Sequence, residues 1–242
     1  MIPRFFCSQP MKVGRILELP HEVAHHALRV LRLRLGEAIV LFDGSGGEYR
    51  ASLQDVGRRA RVQIETFEPV DRESPLAVTL AQALPAGDKM DWVIQKAVEL
   101  GVSAILPLIT ERSVVRLTGE RADKRAAHLR GVARSACEQC GRTVVPSVEA
   151  ITSLSEFLAA GVPAGVLRLV LSPRSGCKLA SLTPPEQGVS LLVGPEGGWS
   201  EAELVAIRAR GWRELTLGPR VLRSDTAGLA GLAALQACWG DF

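Results

Sequence analysis

The sequence predicts a two-part protein, a small β-rich barrel domain followed by an α/β domain with a mostly parallel sheet. Three observations predict it. Short alternating strands with tight turns fill the first seventy residues, a proline-bounded polar stretch follows, and apolar strands then alternate with helices to the C-terminus. The expected boundaries are 1–70 for the barrel and 74–242 for the α/β domain.

In the first part, Pro20 opens a short helix whose Val23, Ala27, Val30 and Leu31 share one face at helical spacing. Ala38–Phe42 is an apolar run closed by Asp43-Gly44-Ser45-Gly46-Gly47, a strong turn signal. Glu48–Val56 and Arg61–Phe67 alternate apolar and polar residues, as half-buried strands do. Pro69–Pro75 (PVDRESP) is the linker. Beyond it, Leu76–Ala83 and Ala104–Leu108 read as strands. Lys89–Leu100 and the basic stretch Arg121–Gln139 read as helices, and Leu167–Leu171 and Val189–Val193 as further strands.

Composition narrows the function classes. A charged fraction of 23% and short apolar runs exclude a transmembrane helix, and Met1–Pro10 has no apolar stretch of signal-peptide length. A cytoplasmic protein is expected. The five cysteines are odd in number and scattered, which argues against a disulfide framework. Cys137 and Cys140 form a lone CxxC with no second pair to complete a zinc site, so no metal is expected there. His21-Glu22-Val23-Ala24-His25 matches HExxH literally. It sits at the start of a helix only about three turns long, and Leu28 and Leu31 stand where an extended metalloprotease motif needs glycine and histidine.

The net charge of +3 is modest, but its distribution is uneven. Between Glu111 and Arg134 there are seven basic residues and three acidic ones, and Arg29, Arg32 and Arg34 cluster near the N-terminus. Arginines suit phosphate contact and base stacking, so RNA is one reading; solvated helix faces are the other.

Chemistry concentrates in two C-terminal loops. The buried-type strand Val189–Val193 runs directly into Gly194-Pro195-Glu196-Gly197-Gly198, and Ser200 with Glu203 makes a capping box for the next helix. Ligands in open α/β sheets sit beyond the carboxyl ends of strands, where such a loop lies. It is neither a phosphate loop nor a dinucleotide fingerprint, and taken alone it fits a simple turn equally well. The second loop, Gly218-Pro219-Arg220-Val221-Leu222-Arg223, follows a short strand, Leu215–Leu217, and precedes a helix from Thr226 to about Cys238 capped by Ser224 or Asp225. That helix is small and apolar nearly all round, so it belongs in a core, a subunit interface or both.

Together, VGPEGG and LGPRVLRSDTA resemble the signature of the SPOUT methyltransferases, and more closely the RsmE family of 16S ribosomal RNA uracil-N3 methyltransferases. The resemblance extends through Pro3-Arg4-Phe5, His26 with Arg29–Arg32, Leu41–Gly44, Asp71–Leu76, Lys89-Met90, Ile94–Lys96, Glu99–Val102, Glu111–Ser113 and Cys137–Arg142. It implies a PUA-like barrel before a SPOUT α/β domain with a C-terminal trefoil knot, S-adenosylmethionine as cofactor, a homodimer, and 16S rRNA within the 30S subunit as partner. It also implies that Leu171, Leu192, Gly194, Pro195, Glu196, Gly197 and Gly198 line the cofactor, with Leu217, Gly218, Val221, Leu222, Arg223 and Thr226 opposite.

Methyl transfer to a uridine N3 needs that nitrogen's proton removed, by a base or with help from cations that stabilise the imide anion. Arg223 is the first candidate cation and Arg4 the second, across the dimer. Glu196 and Asp225 are the candidate bases, although the family often carries glutamate where this chain has Asp225. Arg4, Arg29, Arg32, Arg112 and Arg142 are the expected RNA contacts, and Cys137–Arg142 either approaches the substrate or merely ends a helix. The competing class is a non-enzymatic RNA-binding protein, which would have no need for both glycine loops.

Overall fold

The computed structural model describes residues 2–57 and 59–242. The chain divides into two compact units, one formed by the chain up to Glu73 together with Cys137–Val145, the other by Ser74–Ala136 and Pro146–Phe242. Cys137–Val145, placed by the sequence in the second domain, therefore belongs to the first.

The first unit is a five-stranded sheet in the order β1 (Arg4–Phe6), β3 (Ala38–Phe42), β4 (Glu48–Asp55), β5 (Arg61–Glu68), β2 (Ile16–Glu18). β1 runs parallel to β3 and the other pairings are antiparallel. Register shifts between β4 and β5 bend the strands, and the expected barrel takes the form of a curled half-barrel with ends at β1 and β2. Phe5, Ile39, Leu41, Leu53 and Val62 fill its core. α1 (His21–His25) continues into a π-turn, His26–Val30. The wider π pitch breaks the expected stripe: Ala27 is buried, while Val30 and Leu31 are exposed and Leu28 packs on the core instead.

The second unit is a parallel sheet in the order β12 (Arg213–Leu215), β10 (Leu167–Leu171), β11 (Val189–Val193), β6 (Val78–Ala83), β7 (Ala104–Ile109), β8 (Ser147–Val148), with β9 (Thr152–Ser153) also on β7. β10 and β11 begin and end where the sequence put them; β11 is buried along its whole length, as a strand covered on both faces is, whereas β10 carries the half-buried Arg168 in its first half. α2 (Lys89–Glu99), α3 (Glu120–Cys140), α5 (Glu201–Ala209) and α6 (Ser224–Trp239) match the expected helices within a few residues. α4 (Leu154–Ala160) was not anticipated, although Ser153 and Glu156 form its capping box.

Hydrogen bonds from the Ser153 amide and hydroxyl and from the Thr152 hydroxyl hold the Glu156 carboxyl at about 2. A depressed pKa means the stabilisation is complete above the ordinary glutamate range and is lost as pH falls towards 2. The first turn of α4 is therefore expected to lose amide-exchange protection on acidification through that window, and a Glu156→Gln variant to show no such transition.

α6 packs on β11, β6 and β10 and against α2. Its small residues permit a close approach: a Cβ on Gly228 would lie 2.7 Å from Gln82 Oε1, and one on Gly231 2.9 Å from Leu191 Cδ2. Leu229, Leu232 and Leu235 are buried, while Ala230, Ala233 and Ala234 are half-buried and Ala237 is exposed. No helix among the described residues is long and apolar enough to cross a membrane.

Candidate cofactor site

The order β12-β10-β11 sets three neighbouring parallel strands with their carboxyl ends on one edge of the sheet. The loops leaving those ends, 172–175, 194–199 and 216–223, enclose a pocket of about 640 Å³. That volume falls within the ordinary range for small-molecule sites.

The walls are mainly apolar, from Leu171, Val193, Leu204, Leu215, Leu217 and Leu222. Of the expected lining residues, Leu171, Gly194, Pro195, Glu196, Gly198, Leu217, Gly218, Val221, Leu222 and Arg223 are on the wall. Three are not. Leu192 is fully buried one layer behind, in the core with Val170 and Ile207. Gly197 turns away, so that a Cβ there would lie 3.1 Å from Arg112 Cβ. Thr226 is exposed on α6 outside the pocket.

Sequence reasoning overlooked Ser172, Pro173, Arg174 and Ser175. The rule that ligands sit at strand ends would have found them, but only once β10 was known to lie between β11 and β12. It also overlooked Trp199, whose indole covers Gly194: a Cβ on Gly194 would come within 2.9 Å of the ring. Trp199 Nε1 is buried and lacks a hydrogen-bond acceptor among the described residues, a donor left for a ligand or a water to satisfy.

Ser224 joins the two glycine loops. The sequence offered it as a helix cap, whereas the cap position falls to Arg223 and Ser224 is the first residue inside α6. Its buried hydroxyl donates to the Gly194 carbonyl at 2.5 Å and accepts from Gln82 Nε2 at 3.0 Å. Ser224→Ala would strip buried polar groups of their partner at a cost of about 1–3 kcal/mol. We expect a lowered denaturation midpoint and weaker ligand binding together, checked by urea unfolding and calorimetric titration.

The carboxylates of the pocket are already engaged. Glu196 accepts from the Ala86 amide at 3.0 Å and lies 3.9 Å from Lys89 Nζ, tying the first glycine loop to the segment after β6. Glu214 accepts from the Ser175 hydroxyl and from Arg208 Nε at 2.8 Å. The Ser175 bond, with Arg208 and Ser172 adding to it, outweighs partial burial and holds the Glu214 carboxyl below the usual range. Asp225 is not on the wall. Arg223 is on the wall, exposed, and its guanidinium has no partner among the described residues.

The sequence matches the RNA methyltransferase domain family over residues 72–236 and the RNA methyltransferase PUA domain family over residues 19–65. Ribosomal RNA small subunit methyltransferase E of Bacillus subtilis is 32% identical over 95% of this chain and 93% of its own length. The chain belongs to the ribosomal RNA small subunit methyltransferase E family. A crystal structure of that enzyme from Neisseria gonorrhoeae bound to S-adenosylmethionine is 42% identical, covers both chains fully and superposes with a TM-score of 0.94. A putative methyltransferase from Legionella pneumophila, also in complex with S-adenosylmethionine, is 37% identical with full coverage of both chains and a TM-score of 0.95.

Within this family member, the remaining expected site residues except Arg112 lie in the first unit. Arg4 is largely buried, paired with Glu48, and donates to the carbonyl oxygens of Gly141 at 3.1 Å and Arg142 at 3.3 Å. Burial pushes the Glu48 carboxyl up, but hydrogen bonds from Arg4 and Arg72 prevail and hold it below the ordinary range. Arg142 is buried against Glu73, with Nε 2.9 Å from the carboxylate. Glu138 accepts the Phe6 amide at 2.9 Å, and burial, the larger influence, raises its pKa. Arg4, Glu138 and Arg142 thus fasten Cys137–Val145 to the half-barrel, which favours the structural reading of CEQCGR. Cys137 is buried, with its thiol pushed up to about 12 by desolvation.

Arg29 and Arg32 are exposed, and Arg32 is the single non-glycine residue with positive φ (57°) among the described residues. Arg112 is exposed in the second unit and donates to the Gly197 carbonyl at 3.1 Å. His21 and His25 stack with ring centroids 6.5 Å apart. No group of three His, Cys, Asp or Glu side chains placed to hold a metal occurs among the described residues.

Proposed function

We propose that this chain binds S-adenosylmethionine in the pocket of its α/β unit and methylates N3 of one uridine in 16S rRNA within the small ribosomal subunit. The observation that carries the reading is the pocket of about 640 Å³ between three carboxyl-end loops, in a chain matching an S-adenosylmethionine-bound relative along its whole length. The residues fit that cofactor. Leu171, Leu215, Leu217 and Leu222 offer apolar surface for an adenine, and the unsatisfied Trp199 Nε1 offers a donor. When bound, S-adenosylmethionine supplies an electrophilic methyl group on a sulfonium.

The chain's own residues handle the acceptor. The uridine N3 proton must leave, and because Glu196 and Glu214, the two carboxylates on the wall, are held by other groups, it would pass to solvent water. Arg223, unpaired at the pocket, would stabilise the imide anion as it forms and hold its nitrogen in line for displacement. Arg4 is used within its own unit, so Arg223 takes the role without it. Exposed Arg29, Arg32 and Arg112 would contact RNA phosphates.

A homodimer is part of the proposal. Its support is α6, whose half-buried Ala230, Ala233 and Ala234 and exposed Ala237 leave small apolar surface uncovered. The trefoil knot is proposed on the family resemblance, supported by the crossing of β10 by the chain between β11 and β12. A cytoplasmic location follows from a ribosomal substrate. Titration calorimetry with S-adenosylmethionine, followed by transfer of labelled methyl into small subunits, tests the function. One cofactor site per chain and labelled 16S rRNA are expected; binding without transfer would leave a cofactor-binding protein of another kind.

A further inference from the structure

Four arginines and two glutamates line the pocket. Arg208 is matched by Glu214, with N–O distances of 2.8 and 2.7 Å, and Glu196 by Lys89 at 3.9 Å. Arg174, Arg220 and Arg223 remain, exposed, with no ion pair or side-chain hydrogen bond to any described residue. S-adenosylmethionine carries two positive groups and one negative, so it does not offset three guanidinium ions. A polyanion such as an RNA backbone would match the charge that the cofactor leaves.

Arg174 is presented by a built platform. Loop 172–177 lies along the adjacent strand: the Ser172 amide donates to the Leu215 carbonyl at 3.0 Å, the Cys177 amide to the Glu214 carbonyl at 2.9 Å, and the Thr216 amide to the Cys177 carbonyl at 3.1 Å. Gly176 has φ 140°, and a Cβ there would lie 2.7 Å from the Glu214 carbonyl oxygen, so the contact needs glycine. The Ser175 hydroxyl completes the fastening on the Glu214 carboxylate. A loop pinned at this many points, with its one long charged side chain left unpaired on the pocket wall, suits recognition better than solvation.

We propose that Arg174 and Arg220 form a phosphate subsite that grips the RNA backbone beside the target uridine, leaving Arg223 for the base. The proposal rests on the methyltransferase reading of the same pocket. Glu214, held ionised, is a positioning residue that keeps Arg208 and the Arg174 loop in place.

The test compares Arg174→Ala, Arg174→Lys and Arg220→Ala with the wild-type chain. It measures S-adenosylmethionine affinity, KM and kcat on small subunits, and the salt dependence of binding to a 16S rRNA fragment. For each alanine variant the subsite predicts a KM raised about tenfold, kcat within about twofold, and unchanged cofactor affinity. The slope of log affinity against log salt should be shallower by about one. Arg174→Lys should recover part of the KM and most of the slope. Unchanged KM and slope would overturn the subsite, and so would lost cofactor affinity, which would assign Arg174 to the cofactor carboxylate. If the wild-type chain methylates nothing, the methyltransferase reading fails, and the salt slope still decides whether these arginines hold phosphate.

Discussion

Replacing Arg223 by alanine is expected to lower the rate of methyl transfer by about 10²–10³-fold while leaving the fold intact. The side chain is exposed and makes no hydrogen bond or ion pair with the described residues, so its removal strands no partner. The helix that follows keeps its start, because the Thr226 and Ala227 amides bond to the Arg223 backbone carbonyl at 3.0 and 2.8 Å. A cation that acts on a charge present only as the proton leaves N3 should alter kcat far more than ligand affinity. Single-turnover methylation of small subunits, alongside calorimetric titration with S-adenosylmethionine, separates the two. Wild-type rates in Arg223→Ala would remove this residue from the mechanism.

Substituting Gly194 by valine should have the second large effect, on cofactor binding. Even a lone Cβ at this position would lie 2.9 Å from the Trp199 indole, which itself lines the pocket. The added branches would displace the ring or enter the cavity, and an affinity loss of at least about tenfold is expected, with little transfer activity remaining. Gly197 is the informative control. Its Cβ would meet Arg112 and not the pocket, so Gly197→Ala should weaken binding much less. Equal losses in both variants would mean that the loop responds as a whole and that Trp199 does not define its wall.

That contrast marks how far the sequence could be read. VGPEGG, which alone fits a simple turn equally well, reads as a ligand loop when LGPRVLRSDTA follows it; its place after a buried strand and before a capped helix is a local feature. Which of its glycines faces the ligand depends on Trp199 and Arg112, and nothing in the spacing of the loop orders them. Ser172–Ser175 was missed for a related reason: β10 shares a pocket edge with β11 and β12 only through the sheet order. The same holds for Arg4 and Arg142. As isolated arginines near family motifs they read as RNA contacts, but Glu48 and Glu73, distant in sequence from their partners, bury and neutralise them. α6 was legible because so apolar a helix has no exposed solution, although its packing partners were not.

The function proposed for this chain is to place a methyl group on N3 of a single uridine. Its most direct test is nucleotide-resolution mass mapping of 16S rRNA after incubating unmodified small subunits with this protein and S-adenosylmethionine. One new methyl group is expected, on the base of one uridine, at a position where reverse transcription halts because N3 can no longer pair, and absent without the cofactor. A methyl group on a ribose, on another base or on transfer RNA alone would contradict it, as would rRNA left unmodified by protein that binds the cofactor.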